Sequence, residues 1–251
     1  MIEIKNLHKW FGSHHVLRGV DLTIQDGETL VVMGQSGCGK SVLLKHIMRI
    51  MEPDEGTILI DGEDIFAMSE KDFEAILPKL GMLFQGAALF DSMNVQQNVG
   101  FSLYEHTALP EMKIRDTVRE KLALVGLHGI EALMPASLSG GMKKRVGLAR
   151  AICNDPKIIL YDEPTTGLDP INSDVINDLI LRMQEKLRVT SIVVTHDMTS
   201  AFKVANRLAM LYKGQIIGSG TPAEIKSSSD LVIRQFITGS AVGPITQDKN
   251  A

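Results

Sequence analysis

The stretch Gly34-Gln35-Ser36-Gly37-Cys38-Gly39-Lys40-Ser41 sets three glycines and then a lysine and a serine between two apolar runs. The spacing Gly34-x-x-x-x-Gly39-Lys40-Ser41 fits the phosphate-binding P-loop pattern. Glycine has no Cβ, so the backbone can curl and aim consecutive N–H groups into one concavity suited to an anion. A helix starting near Gly39 adds the positive end of its dipole. In such a loop Gly34, Gln35, Ser36, Gly37, Cys38, Gly39, Lys40, Ser41 and Val42 surround the phosphates. Lys40 reaches the β- and γ-phosphates, and the Ser41 hydroxyl sits on Mg²⁺. A glycine-rich turn ending by chance in Lys-Ser is the blander alternative, but the flanks oppose it. Thr29 to Met33 reads as a buried strand and Val42 to Met48 as a helix. The expected ligands are a nucleoside triphosphate and Mg²⁺.

Two further stretches carry chemistry. Asp162 and Glu163 close the run Ile158-Ile159-Leu160-Tyr161-Asp162-Glu163-Pro164, at the carboxyl end of a buried strand, where ligands of open parallel sheets gather. Asp162 is placed to hold Mg²⁺, and Glu163 to orient an attacking water. An ordinary Glu, with a pKa near ~4.3, is a feeble base, so positioning should supply most of its effect. Two solvated acids after a strand would be the ordinary reading without the P-loop upstream. Ser139-Gly140-Gly141 opens a helix carrying Lys143, Lys144, Arg145 and Arg150, with Met142, Val146, Ala149 and Ile152 near the spacing of a buried face. A Ser-Gly-Gly helix start is a second anion site. On its own it would read as a simple cap with a basic solvated face.

These groups need elements to hold them. The 251-residue chain suits one α/β domain with an insertion, and its 44 % hydrophobic and 22 % charged residues permit a proper core. The net charge of −4 argues against a nucleic-acid groove. Two cysteines, Cys38 and Cys153, are too few for a disulfide framework and point to a reducing, cytoplasmic setting. No run approaches the ~20 apolar residues that span a bilayer, so any membrane is met through a partner. Alternation in Ile2-Glu3-Ile4 and Val20 to Ile24 predicts antiparallel strands, with turns at Asp26-Gly27 and Asp61-Gly62. Residues 94–154 are helical in pattern. Parallel strands are expected at Lys157 to Tyr161 and Thr190 to Thr195 around a helix from Asn172 to Lys186. Two strand-like runs, Leu208 to Tyr212 and Gln215 to Ser219, and two short helices end the chain. The domains expected are an ATP-binding core over 1–85 and 156–225, a helical subdomain over 86–155 and a tail over 226–251.

The ordered set of P-loop, Gln85 in Leu83-Phe84-Gln85-Gly86, Leu138-Ser139-Gly140-Gly141, Tyr161-Asp162-Glu163-Pro164 to Asp169, and Val193-Val194-Thr195-His196-Asp197 resembles the ATP-binding subunits of ATP-binding-cassette (ABC) transporters over residues 2–225. The resemblance implies a P-loop α/β core with an N-terminal antiparallel β subdomain and an inserted helical subdomain. It also implies a head-to-tail dimer in which two ATP molecules each lie between one subunit's P-loop and the other's Ser139-Gly140-Gly141. By the same resemblance, Phe11 matches the aromatic that stacks on adenine, with Trp10 a weaker substitute. Gln85 matches the residue that senses Mg²⁺ and water and couples to the membrane partner. Asp169 matches the loop aspartate that crosses the dimer, and His196 the switch histidine on the γ-phosphate. Two departures stand out. Val42 replaces a frequent hydroxyl residue, at the expected loss of one α-phosphate contact, and Met142 stands where Gln is commonest.

Asn98 to Glu111, the signature region and the tail Val232 to Ile245 are similar to the ATPases of bacterial phospholipid transporters that carry a mammalian-cell-entry (MCE) subunit. That resemblance implies an integral permease, an MCE lipid-binding subunit, a small cytoplasmic regulator at the tail, and a peripheral location on the cytoplasmic face of the inner membrane. Leu231, Val232, Ile233, Phe236 and Ile237 could form an apolar face for such a partner or for docking on the chain's own domain. Three rivals stay open: an importer for another solute, a soluble ABC ATPase outside transport, and a dead scaffold. The last is disfavoured because Lys40, Ser41, Asp162, Glu163 and His196 are all present.

Overall fold

A computed structural model describes residues 1–247; the last four residues of the tail expected at 226–251 lie outside the described residues. The chain opens with strands β1 (Ile2–Phe11), β2 (His14–Ile24) and β3 (Thr29–Met33), helix α1 (Lys40–Ile47), and strands β4 (Glu55–Ile60) and β5 (Glu63–Asp64). Helix α2 (Glu70–Ile76), strand β6 (Leu80–Leu83) and helices α3 (Val95–His106), α4 (Glu111–Leu124) and α5 (Gly140–Ala151) follow. Next come β7 (Ile158–Asp162), α6 (Pro170–Leu187) and β8 (Thr190–Thr195). The end is formed by α7 (Met198–Val204), β9 (Arg207–Tyr212), β10 (Gln215–Gly220), α8 (Pro222–Lys226), α9 (Leu231–Thr238) and α10 (Pro244–Gln247). The chain divides into two compact units, Met1–Ala67 with Val194–Ala251, and Met68–Val193.

In the first unit β1 pairs antiparallel with β2 and β4, setting Ile2 opposite Ile24 and Ile60, and Ile4 opposite Leu22 and Ile58. The alternation seen in the sequence thus places one apolar face inward. Gly56 (φ +92°) permits the close crossing, because a Cβ there would stand 2.3 Å from the Asn6 carbonyl oxygen. β3, buried at all five positions, pairs in parallel with β9, which pairs antiparallel with β10. Such a continuous apolar run is what a strand covered on both faces requires. α9 lies on β10, with Ile233 buried and its Cδ1 2.7 Å from where a Gly218 Cβ would stand.

The second unit holds β6 parallel to β7, with Leu80 opposite Ile158 and Leu83 opposite Tyr161. The helices of the insertion bury Val95, Val99 and Leu103 of α3, Ile114, Val118 and Leu122 of α4, and Val146, Leu148 and Ala149 of α5. Asn94 begins α3 with a capping box to Gln97, Ser139 caps α5, and Asp169 caps α6 ahead of Pro170. Residues 94–154 contain no strand, as the sequence predicts. The sequence does not predict α2, β5, β6 or α7, and the tail adds α10 to the two short helices expected there. β6 is only four residues long and contains Gly81, which reads as a breaker. Its glycine is needed because a Cβ would stand 2.3 Å from the Ala151 carbonyl oxygen at the end of α5.

Candidate functional site

In the first unit the P-loop runs from the end of β3 to the start of α1. Gly37 (φ +81°) and Gly39 (φ +107°) take left-handed conformations that other residues rarely adopt. Gly34 has no room for a side chain, since a Cβ would stand 2.4 Å from the Leu211 carbonyl oxygen and 2.7 Å from Cys38 Sγ. Lys40, 5 % exposed, donates to the carbonyl oxygens of Gly34 (2.8 Å) and Gln35 (3.0 Å), so its ammonium lies folded against the loop. Ser36 and Gly37 form an exposed rim, while Gln35, Cys38, Ser41 and Val42 are half-buried. The first amides of α1 have no intrahelical acceptor by position. This donor set suits a polyphosphate.

Of the two neighbouring aromatics, Phe11 is 47 % exposed at the end of β1, with the Lys9 ammonium 5.9 Å from its ring centroid. Trp10 is committed elsewhere. Its ring stacks on His15 with centroids 3.9 Å apart and on His8 at 5.4 Å. A base needs an open π-face, and Phe11 offers it. His196 follows β8 with an exposed side chain, and the next residue, Asp197, caps α7 by accepting from Thr199 N at 3.0 Å.

The second unit contains Gln85, Ser139, Gly140, Gly141, Asp162, Glu163 and Asp169. Asp162 closes β7 and Glu163 follows, both buried. Glu163 takes a left-handed conformation (φ +47°), rare for a residue with a side chain. Its carboxylate accepts from Thr166 Oγ1 at 3.1 Å, and its carbonyl accepts from Thr166 N at 3.3 Å. Lys144 Nζ donates to the carbonyls of both Glu163 (3.1 Å) and Gln85. Burial pushes the Lys144 pKa down, against the opposing pull of the Asp162 and Glu163 charges. The basic face expected on α5 is therefore partly turned inward. Met142, expected on the buried face, is half-buried.

Ser139 and Gly140 stand exposed at the start of α5, where Ser139 Oγ accepts from Met142 N at 3.3 Å. Asn172 joins this start to that of α6. A Cβ on Gly141 would stand 3.0 Å from Asn172 Oδ1, while Asn172 Nδ2 donates to Asp169 Oδ2 at 2.5 Å. The Asn172 side-chain bond, with the backbone amides of Asn172 and Ile171, holds the Asp169 carboxyl below the usual range. The sequence reading missed Thr166 and the inward turn of Lys144 and Arg150. The available signal was the stripe Lys144, Gly147, Arg150, three residues apart on one helix. Among the described residues no group of three or more His, Cys, Asp or Glu converges to hold a metal.

The family model described as ABC transporter matches residues 17–166. The chain is 45 % identical over 244 residues to a probable ribonucleotide transport ATP-binding protein of Mycobacterium tuberculosis, covering 97 % of this chain and 68 % of that one. It is 43 % identical over 245 residues to an intermembrane phospholipid transport system ATP-binding protein of Haemophilus influenzae, covering 98 % and 93 %. A solved dimeric ATP-binding cassette in a post-hydrolysis state, bound to ADP and Pi, superposes with a TM-score of 0.82 at 31 % identity, covering 88 % of this chain and 99 % of that one.

Proposed function

This chain belongs to the ABC transporter family and is an ATP-hydrolysing cassette of the α/β P-loop fold, and from that premise we propose that it powers the movement of phospholipid between bacterial membranes. The observation that carries the cargo is the phospholipid-system relative, which this chain matches over nearly the full length of both proteins. Its partners in this reading are a second copy of itself, an integral permease, an MCE-domain lipid-binding subunit and a small regulator at the tail. Among the described residues no helix is long and apolar enough to cross a membrane. The permease would then hold the cassette at the cytoplasmic face of the inner membrane.

The residue roles follow from the family resemblance, and each suits the chemistry of its side chain. Phe11 stacks on adenine, and the amides from Gly34 to Val42 take the phosphates, with Lys40 neutralising the β- and γ-oxygens. Ser139, Gly140 and Gly141 of one subunit close on the ATP held by the other, and Asp169 lies along the shared face. Mg²⁺ would be held by Ser41, Asp162 and Gln85, a hard oxygen set with few carboxylates that leaves the ion several waters, and it would supply charge neutralisation on the phosphates. Glu163 orients the attacking water, and His196 contacts the γ-phosphate.

A second reading, transport of ribonucleotides, is favoured by the name of the mycobacterial relative. Purification of the tagged chain in detergent tests both. The expected result is co-purification of an integral membrane protein and an MCE protein, with phospholipid found in the complex by mass spectrometry. ATPase activity of the reconstituted complex should respond to phospholipid and be indifferent to an added ribonucleoside monophosphate. A response to the ribonucleotide alone would overturn the lipid reading.

A further inference from the structure

Helix α5 carries more than the anion site at its start. Lys144, 5 % exposed, donates to two carbonyls from separate segments, Gln85 and Glu163. Two turns on, the Arg150 guanidinium donates to the carbonyls of Ala87 and Ala88, each at 2.6 Å. Ala87 (φ +62°), Ala88 (φ +47°) and Glu163 (φ +47°) are all left-handed without being glycine. Such conformations persist only where the surroundings over-determine them, and they cluster at working sites. Here each of the three has its carbonyl fixed by a cation of α5. Gly147, between the two cations, lets the segment approach, since a Cβ would stand 3.2 Å from Ala87 Cβ and 3.3 Å from the Ala87 carbonyl oxygen.

We infer that Lys144, seconded by Arg150, is a positioning residue that sets the backbone under Gln85 and Glu163, and so ties water orientation in one subunit to that subunit's own signature helix. The inference rests on the roles proposed above for Gln85, Glu163 and the Ser139 helix start. In that reading the start of α5 grips the ATP of the second subunit. A continuous twelve-residue helix then connects the grip on the partner's nucleotide to the residues that orient water at its own. A buried ammonium on two carbonyls has a steep geometric preference, because its charge is costly to leave unpaired. A shift of α5 therefore carries both backbone segments with it.

The test compares wild type with Lys144→Met, Lys144→Arg and Glu163→Gln, in steady-state ATPase assays and ATP-binding titrations. Methionine keeps the bulk of the stem and removes the donors. The expected result for Lys144→Met is a kcat loss of roughly 10- to 100-fold, the scale of an ångström-sized misplacement, with ATP affinity within about twofold of wild type. Lys144→Arg, which keeps donors in a longer arm, should recover part of the lost kcat. Glu163→Gln should bind ATP and turn over almost none. Wild-type kcat in Lys144→Met beside an inactive Glu163→Gln overturns the clamp and leaves the ATPase assignment intact. Turnover in Glu163→Gln overturns the assignment of Glu163 and the clamp with it. Should Lys144→Met fail to fold, Lys144→Gln, shorter but still a donor, replaces it. A kcat and an ATP affinity that fall there in proportion would also overturn the clamp, because damage to the fold affects both alike.

Discussion

Two lysines are buried to the same extent, and their partners separate what they do. Lys40 spends its ammonium on the carbonyls of Gly34 and Gln35, inside the loop it belongs to. Both carbonyls belong to the loop itself, so a phosphate oxygen bound in that loop meets the ammonium where they do. Lys144 bonds carbonyls of two distant segments. The two should fail differently. Lys40→Ala removes a charge-assisted contact to an anion, about 1.5–3 kcal/mol, or roughly 10- to 100-fold in ATP affinity. Equilibrium binding of a fluorescent ATP analogue measures it, and an affinity within twofold of wild type would refute the loop's assignment.

At the scale of elements, the segment between β6 and α3 is held at its start by the cations of α5 and at its end by one amide of α3. Asn98 of α3 is fully buried and accepts from Phe90 N at 2.8 Å. It also donates to the carbonyls of Phe90, Met93 and Asn94 at 2.9 to 3.1 Å. Asn98→Ala would leave those backbone groups without partners, at a cost of about 1–3 kcal/mol. The urea midpoint should fall while the slope stays constant, and an unchanged midpoint would show that water replaces the amide. Nothing in the sequence signals this residue, because an Asn inside a helical pattern reads as a surface position. The same limit separates the legible parts of the site from the rest. The P-loop stands out in the sequence because local backbone chemistry fixes its residue types, while the Ser139 start and the Asp162–Glu163 pair take their reading from the order of motifs around it. β3, β7, β8 and α6 were legible from apolar runs and periodicity. β6 was not, because its glycine answers to the end of α5, a contact between residues 70 positions apart in the chain. The inward turn of Lys144 and Arg150 left only the stripe they form with Gly147, since their partners are carbonyls and carbonyls have no sequence signature.

At the scale of the whole molecule the question is what the tail does. The five apolar residues foreseen as one face of α9 are divided in the structure. Ile233 is buried on the first unit, and Val232, Phe236 and Ile237 are half-buried. Leu231 is 66 % exposed. Beyond the helix the chain folds back on itself through Gln235. This side chain, 6 % exposed, donates to the Ser240 carbonyl (3.1 Å) and Thr246 Oγ1 (3.2 Å) and accepts from Ile245 N (2.8 Å). The described tail is therefore part of the fold of its own unit as well as a candidate surface for a regulator. Truncation after Thr238 separates the two roles. It strips Gln235 of all three partners and removes buried Ile245, whose side chain alone is worth about 1.5–3 kcal/mol. With roughly 2–4 °C lost per kcal/mol in a protein of this size, Tm should drop by roughly 3–12 °C. Turnover below the transition should persist, because none of the residues assigned to ATP lies beyond His196. A truncated chain that melts with wild type would show that residues after Thr238 add nothing to the fold, and their apolar side chains would then have only a partner to serve.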